Sequence, residues 1–273
     1  MTDARLTSSK LLSDPQWLSA QAHVSWGKEV QLLKHLGLQD GMSILELGCG
    51  PGFVTELLLD SFPASKLTAV DLDPAMTELA RKRLAKHIPH KVEILQESTG
   101  STSLADESFD FAIARYLFQH LGAPETTLEE TSRLLKSGGT LAIADIDDDL
   151  GGIIDGGLPS FSTLMNRLRG LQSKRGGNPH IGRKLWRLLR DARFERLTLD
   201  AILTHSDELG LEPFLPQYHP DRYQSLLSTE GGVSQEEWEQ YRREYDLFIT
   251  SKTAYIMSLI FVASGRKPPN TSA

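Results

Sequence analysis

Cysteine is almost absent: Cys49 stands alone in 273 residues, which excludes an intrachain disulfide and any metal site built from several thiolates. Positive charge is also in short supply. Lys and Arg number 29 against 36 Asp and Glu, a formal net charge of −7, so the chain lacks the basic excess with which proteins neutralise nucleic-acid phosphates. Long apolar runs are missing too. The most apolar stretch, Tyr255 to Ala263, falls far short of the roughly 20 residues that span a bilayer, and Met1 to Lys10 contains no apolar leader-like segment. Repeats and low-complexity tracts are likewise missing. These absences predict a cytoplasmic protein with no nucleic-acid partner and no membrane span; a monomer or homodimer is expected, a state on which the sequence carries no signal. What is present is globular in proportion, 40% apolar and 24% charged, and the length suits one large α/β domain or a core with an appended lid.

From Met42 to Asp145 short apolar runs alternate with amphipathic stretches, the pattern of βα units feeding a parallel sheet. Strands are expected over Ser43–Leu47, Leu67–Asp71, Lys91–Gln96, Phe109–Ala114 and Thr140–Asp145. Asp73 reads as an N-cap with Pro74 at the first helical position, and Met76, Leu79, Ala80 and Leu84 then recur at helical spacing. Gly138-Gly139 is expected to end a helix through Leu128, Leu134 and Leu135. After Asp145 the rhythm changes. Helices are expected near Phe161–Lys174 and Ile181–Ala192, and strands over Glu195–Thr204 and Ala254–Ser264. Between those strands lie a Leu/Pro/Tyr-rich segment and a helix opened by a capping box, Ser234 with Glu237. The chain thus divides into an N-terminal helical cap (1–41), a core (42–146), helical lid insertions (147–193 and 206–250) and the last strands of the core sheet (194–205 and 254–265).

The strongest chemical signal is the run Glu46-Leu47-Gly48-Cys49-Gly50-Pro51-Gly52, set between the first strand and a helix over Phe53–Leu59. Glycines there allow a sharp strand-to-helix turn and close approach of backbone to a ligand. A nicotinamide fingerprint requires a third glycine where this chain has Phe53, which weighs against a pyrophosphate at the helix N-terminus and against an NAD(P)-dependent oxidoreductase. Asp71 ends the second strand, where an acidic side chain can accept bonds from both ribose hydroxyls. Leu72 follows, suited to an adenine face, and Ser98 and Thr99 fall one strand later where the purine edge would arrive. Together these residues indicate nucleoside recognition without phosphate recognition.

With these residues in order the sequence resembles the class I S-adenosylmethionine-dependent methyltransferases, in the branch of small-molecule enzymes similar to the ubiquinone-biosynthesis methyltransferases. The resemblance runs from Met42 to Asp145 through Glu46 to Gly52, Val70 to Asp73, Asp106 to Asp110, Arg115 to Leu121 and Leu134 to Gly139. It implies an α/β fold: a Rossmann-like seven-stranded sheet, mostly parallel, with the last strand reversed. S-adenosyl-L-methionine is the implied cofactor, with no metal. By position Glu46, Gly48 and Gly50 would face the methionine moiety, Asp71 the ribose and Leu72 the adenine. Arg115, Tyr116 and Gln119 would line the methionine end or the mouth of the acceptor pocket, and Met76 and Trp26 are placed near the cofactor. Ser98 stands where the family pattern usually has an Asp for the adenine amino group, with Glu97 as a substitute acceptor.

The implied reaction is methyl transfer to an O or N atom of a small, partly apolar metabolite, with a non-catalytic cofactor sensor as the alternative. His120 is the candidate general base; His180, His205 and His219 are lesser ones. Asp145, Tyr116, Phe161, Phe214 and Tyr218 are expected at the acceptor. Asp145 to Asp149 reads as a solvated strand end, and Cys49 as a small filler. The glycine pairs at 151-152, 156-157, 176-177 and 231-232 flank the insertions and would tolerate hinge motion.

Overall fold

The structure, a computed structural model, describes residues 15–150, 152–155, 157–230 and 232–269. The expectations placed on residues 1–14, and on Gly151, Gly156 and Gly231 as hinges, lie outside the described residues.

Helices α1 (Pro15–His23) and α2 (Trp26–His35) lead into β1 (Ser43–Leu47), α3 (Phe53–Ser61), β2 (Lys66–Asp71), α4 (Pro74–Arg83), β3 (Val92–Gln96), β4 (Phe109–Arg115), α5 (Pro124–Leu134) and β5 (Leu135–Asp145). Strands β1 to β5 are parallel neighbours in the order 3-2-1-4-5. Because side chains alternate along a strand, Ile44, Ala69, Ile113 and Ala142 pack against α2, α3 and α4. Leu45, Leu47, Ala112 and Ile143 pack against α5 on the other face. The Asp73 cap is realised, its Oδ1 accepting the Ala75 amide at 2.8 Å. Boundaries differ most from the sequence expectation in two places: α7 is confined to Leu185–Asp191, and α5 ends at Leu134, with Leu135 already in β5, five residues before the expected Thr140. Leu135 pairs with Phe109 across a bulge, so sheet pairing overrides the local helical pattern there.

The remaining elements are β6 (Gly152–Asp155), α6 (Pro159–Lys174), α7 (Leu185–Asp191), β7 (Glu195–His205), α8 (Ser206–Leu209), α9 (Leu215–Tyr218), α10 (Pro220–Thr229), α11 (Gln235–Thr250) and β8 (Tyr255–Arg266). The reversed last strand is present: β8 runs antiparallel to both β5 and β7. The sheet has eight strands rather than seven. The addition, β6, is four residues long and pairs with Tyr255 to Ser258 of β8, continuing the β5 edge after the chain loops out beyond Asp145. Its brevity and initial glycine leave no alternation to read. The expected insertion 147–193 is also divided, since Leu185 and Leu189 of α7 pack on the sheet, while α6 joins α9, α10 and α11 in a separate apolar cluster containing Phe214, Tyr218, Tyr223, Trp238, Tyr241 and Phe248. The α11 capping box forms as expected: Ser234 Oγ accepts the Glu237 amide at 3.2 Å and Glu237 Oε2 accepts the Ser234 amide at 2.8 Å.

The second cluster is tied to the N-terminal helices. Gln217 Nε2 donates to the Trp17 carbonyl at 2.9 Å, and Lys28 on α2 pairs with Glu208 at 2.6 Å. Among the described residues no helix is long and apolar enough to cross a membrane.

Candidate functional site

At the carboxyl end of β1 the chain turns through Gly48, Gly50 and Gly52, all with positive φ (72°, 53° and 81°). A Cβ on Gly48 would lie 2.9 Å from the Leu117 side chain, and one on Gly52 would lie 3.2 Å from the Ala80 Cα, so these two glycines are required by packing as well as by conformation. In front of Gly50 nothing stands within 4 Å of such an atom, which leaves the backbone open to a ligand. The Gly48 and Cys49 amides donate to the Val70 carbonyl at 2.7 and 3.1 Å, fixing the turn to β2. Asp71 completes it, Oδ2 accepting from the Gly50 amide at 2.8 Å and Oδ1 from the Asp73 amide at 2.9 Å. Burial raises the Asp71 carboxyl above its ordinary range, and the two amides oppose that rise.

Glu46 lies behind the turn, 3% exposed, with Oε2 buried and lacking a hydrogen-bond partner. Burial pushes its carboxyl up to about 8. The Thr55 hydroxyl lies close without meeting hydrogen-bond geometry, and with the Arg115 charge it holds the rise back, while Asp71 adds to it. Cys49 is buried and its thiol is pushed up, as a small filler rather than a nucleophile.

Along the rim of β2 and β3, Leu72 is 38% exposed, Met76 is half-buried and Ser98 is exposed. Ser98 Oγ accepts the Gly100 amide at 3.3 Å. Glu97 is committed elsewhere, to the Ser103 hydroxyl and amide at 2.6 and 2.8 Å. Thr99 turns inward and shares a buried hydrogen bond of 3.1 Å with Thr127 on α5. Trp26 lies over the α2/α3 face of the sheet, donating to Ser61 Oγ at 3.3 Å and closing a small apolar cavity with Leu32, Val54, Ile113 and Val262. That cavity lies between helix and sheet and runs on to Glu29, Arg115 and Ala144 at the carboxyl ends of β4 and β5.

Arg115 is engaged by the N-terminal helices. Its Nε and Nη2 donate to the two oxygens of Glu29, each at 2.8 Å, and Nη2 also reaches the Gln21 carbonyl at 2.9 Å and Ser25 Oγ at 3.1 Å. Both side chains of this pair are 5% exposed. Tyr116 follows with φ 54°, and Arg115 lies over its ring at 4.6 Å. Asp145 is fully buried, accepting the Gln119 amide at 3.1 Å and the Ile146 amide at 2.9 Å. Burial raises it to about 7 despite those amides. The Gln119 carbonyl and amide oxygens both accept from Gln172 Nε2 of α6, at 3.0 and 3.1 Å. His120 retains an open face but is ringed by protein, and this desolvation pulls its imidazole down to about 4.

Phe161 packs edge-on against Tyr218 at 5.0 Å and stacks near Tyr241 at 6.1 Å. Phe214, 2% exposed, is interior to the helical cluster. Past β5, Asp147, Asp149 and His180 bring possible metal-ligand atoms within 4.8 Å of one another. Arg183 already occupies that cluster, donating to both Asp147 oxygens and to Asp149 at 2.9 Å. His205 and His219 stand 3.8 Å from Glu208 and Asp221 respectively. Two polar residues escaped the sequence reading: Glu29, whose partner lies 86 residues away, and Arg222 of α10. Neither belongs to a local motif that would reveal it.

The sequence profile of the methyltransferase-domain family matches residues 45–143. That stretch holds the glycine turn, Asp71, Ser98 and the end of β4. Residues 45–143 are a methyltransferase domain. Over 100 residues the chain is 37% identical to the malonyl-[acyl-carrier protein] O-methyltransferase of Paenibacillus sp. (strain JDR-2), covering 36% of each. Over 129 residues it is 26% identical to the demethylmenaquinone methyltransferase of Listeria monocytogenes serotype 4a (strain HCC23), 47% of this chain and 54% of that one. The chain thus spans about a third to just over half the length of these curated relatives. The crystal structure of a SAM dependent methyltransferase from Aquifex aeolicus is 26% identical, with a TM-score of 0.51 over 70% of this chain and 89% of that one. The methyltransferase domain ends within β5, and α6 and α8 to α11 lie outside the matched segment.

Proposed function

We propose that this chain is an S-adenosylmethionine-dependent methyltransferase that moves a methyl group to an O or N atom of a small, partly apolar metabolite. The observation that carries this reading is the glycine turn of the methyltransferase domain, open in front of Gly50 and flanked by two carboxylates, Asp71 at 2.8 Å from the Gly50 amide and Glu46 with an unpartnered buried oxygen. An orphaned acceptor suits the ammonium of a methionine moiety, and each Asp71 oxygen retains a lone pair for a ribose hydroxyl. Exposed Leu72, with Met76 beside it, offers an apolar face to adenine. When bound, the cofactor would supply an electrophilic methyl on a sulfonium.

Displacement at that carbon depends chiefly on alignment and exclusion of water. The Asp145 carboxylate fixes the turn after β4 through the Gln119 amide, and Gln172 ties the same turn to α6. Helices α6 and α8 to α11 then serve as the lid over the strand ends, with Phe161, Tyr218 and Tyr116 toward the acceptor. His120, neutral at pH 7, is needed only for an acceptor that must lose a proton first. Phe53, buried as the first residue of α3 and covered by Arg83 at 3.5 Å, leaves a bulky ring where a nicotinamide cofactor would bring its pyrophosphate. A lone cysteine suits a reducing, cytoplasmic setting.

Calorimetry with S-adenosylhomocysteine tests the reading. The wild type should bind, and Asp71→Ala should weaken binding by about 1.5–3 kcal/mol, the cost of losing hydrogen bonds to a charged acceptor. No binding by the wild type, or unchanged affinity in the variant, would sink it. Labelled S-adenosylmethionine offered with a metabolite panel separates an enzyme from a sensor, since a sensor binds and turns nothing over.

A further inference from the structure

Resting on the methyltransferase reading, we infer that Arg222 is an acceptor-specificity residue, and that the methyl acceptor carries a carboxylate seated on the Nε/Nη2 edge of its guanidinium. The placement begins at the end of β4. Arg222 stands close enough to act electrostatically on the phenols of Tyr116, Tyr218 and Tyr223, so the lid helices α9 and α10 bring it to the strand ends where the acceptor must lie.

Its hydrogen bonding is lopsided. Nη1 donates to the Gln217 side-chain oxygen and to the Gln217 carbonyl at 3.3 Å, and the guanidinium leans on the Tyr223 ring at 5.2 Å. Nε is buried without any partner, and among the described residues Nη2 has no acceptor and no carboxylate pairs with the charge. The nearby Asp148 is held by Arg169 instead, at 3.8 Å. Arg222 is half-buried, and leaving its buried Nε unpaired is costly; the parallel N–H groups of the Nε/Nη2 edge match the two oxygens of a carboxylate.

The neighbours extend the same preference. Tyr223 donates to the Gln217 carbonyl at 2.7 Å and Tyr241 to the Tyr218 carbonyl, but among the described residues the Tyr116 and Tyr218 hydroxyls find no protein acceptor. Burial raises both phenols, which therefore remain neutral donors. The carboxylates that act on these phenols are engaged elsewhere, Glu29 by Arg115, Asp145 by the Gln119 and Ile146 amides and Asp148 by Arg169, which leaves one cation and two hydroxyls short of acceptors; the surrounding rings of Phe161 and Tyr223 suit an apolar body behind the charged end.

The test compares isosteric acid and amide probes, 4-hydroxybenzoate with 4-hydroxybenzamide and hexanoate with hexanamide, by ligand-observed NMR with and without S-adenosylhomocysteine. In the wild type at least one acid should bind about tenfold more tightly than its amide. Arg222→Gln should reduce that preference below about twofold, and Arg222→Lys, which has a charge but no fork, should lose roughly half of its logarithm. Both variants should bind S-adenosylhomocysteine as the wild type does, which also shows that they fold. Equal binding of acid and amide, no binding of any probe, a preference above about twofold in Arg222→Gln, or one undiminished in Arg222→Lys overturns the assignment. Failure of S-adenosylhomocysteine to bind the wild type defeats the methyltransferase reading instead, and the acid/amide comparison on the ligand-free protein still decides the role of Arg222.

Discussion

The crevice at the strand ends has two banks of opposite character. On the β1/β2 bank the side chains are acceptors: Glu46 has an unpartnered oxygen, and Asp71 draws the Gly50 and Asp73 amides around itself. On the lid bank they are donors, Arg222 with an unpaired edge beside the Tyr116 and Tyr218 hydroxyls. A buried group without a partner costs free energy, so Glu46 Oε2 on the first bank and Arg222 Nε on the second leave each incomplete in a different sense. The first lacks a cation or a donor; the second lacks an anion or an acceptor. Their asymmetry matches a reaction in which a positively charged donor meets an electron-rich acceptor.

Arg115 offers the severest test, because it sits between the banks and its role decides whether the acceptor bank stands alone. The structure gives it to Glu29, so Arg115→Ala strands a buried carboxylate and should cost about 3–5 kcal/mol of folding stability, measured by denaturant unfolding. A variant that stays as stable as the wild type but loses S-adenosylhomocysteine affinity would move Arg115 to the cofactor bank.

Acidity provides the next test. With Glu46 raised to about 8 by burial, the ligand-free carboxyl is largely protonated at pH 6–7, whereas an ammonium bound beside it favours the ionised form. Affinity for S-adenosylhomocysteine should therefore climb by up to about tenfold per pH unit below pH 8 and level off above it, and Glu46→Gln should flatten the profile. Folding stability changes in the opposite direction. A carboxyl whose folded value lies above its unfolded one stabilises the fold only while protonated, so the Glu46 and Asp145 contributions should fade as pH rises through about 5 to 8. An affinity independent of pH in the wild type would separate Glu46 from the cofactor.

The smallest effect is expected at the rim. Ser98→Asp places an ionised acceptor on an exposed position beside Leu72 and should hold or improve cofactor affinity by about 1 kcal/mol or less. A marked loss without unfolding would show that this strand end does not meet the adenine.

The acceptor-rich bank was legible in the sequence because its parts are local. Gly48, Gly50 and Gly52 are needed by one turn, Asp71 ends the strand beside it, and the caps at Asp73 and Ser234 act over two or three residues. The lid bank was legible only as composition. Phe161, Phe214 and Tyr218 were expected there as aromatic lining, yet Phe214 supports the cluster from within. Arg222 carries no local pattern, and the Arg115–Glu29 pair joins segments 86 residues apart. Strand β6 escaped for a related reason: four residues become a strand only because β8 extends past the end of β5.

That short strand leaves more chain than span between the ends of β5 and β6, although Asp147 and Asp148 are anchored by Arg183 and the Pro179 carbonyl. Asp145 pairs with Phe261 and Gly152 with Ser258, so about 10 Å along β8 is bridged by a stretch of chain that could reach roughly 23 Å if extended. Both ends are clamped to one strand, and doubling such a loop costs only about 0.6 kcal/mol in closure entropy. Insertions here can remodel the neighbourhood of Asp147 to Asp149 without shifting the register of the sheet, whereas the glycine turn, with Leu117 2.9 Å from a would-be Gly48 Cβ, tolerates no such change. Under the proposed function, lengthening this one excursion is the change that alters the acceptor side at least cost to the sheet.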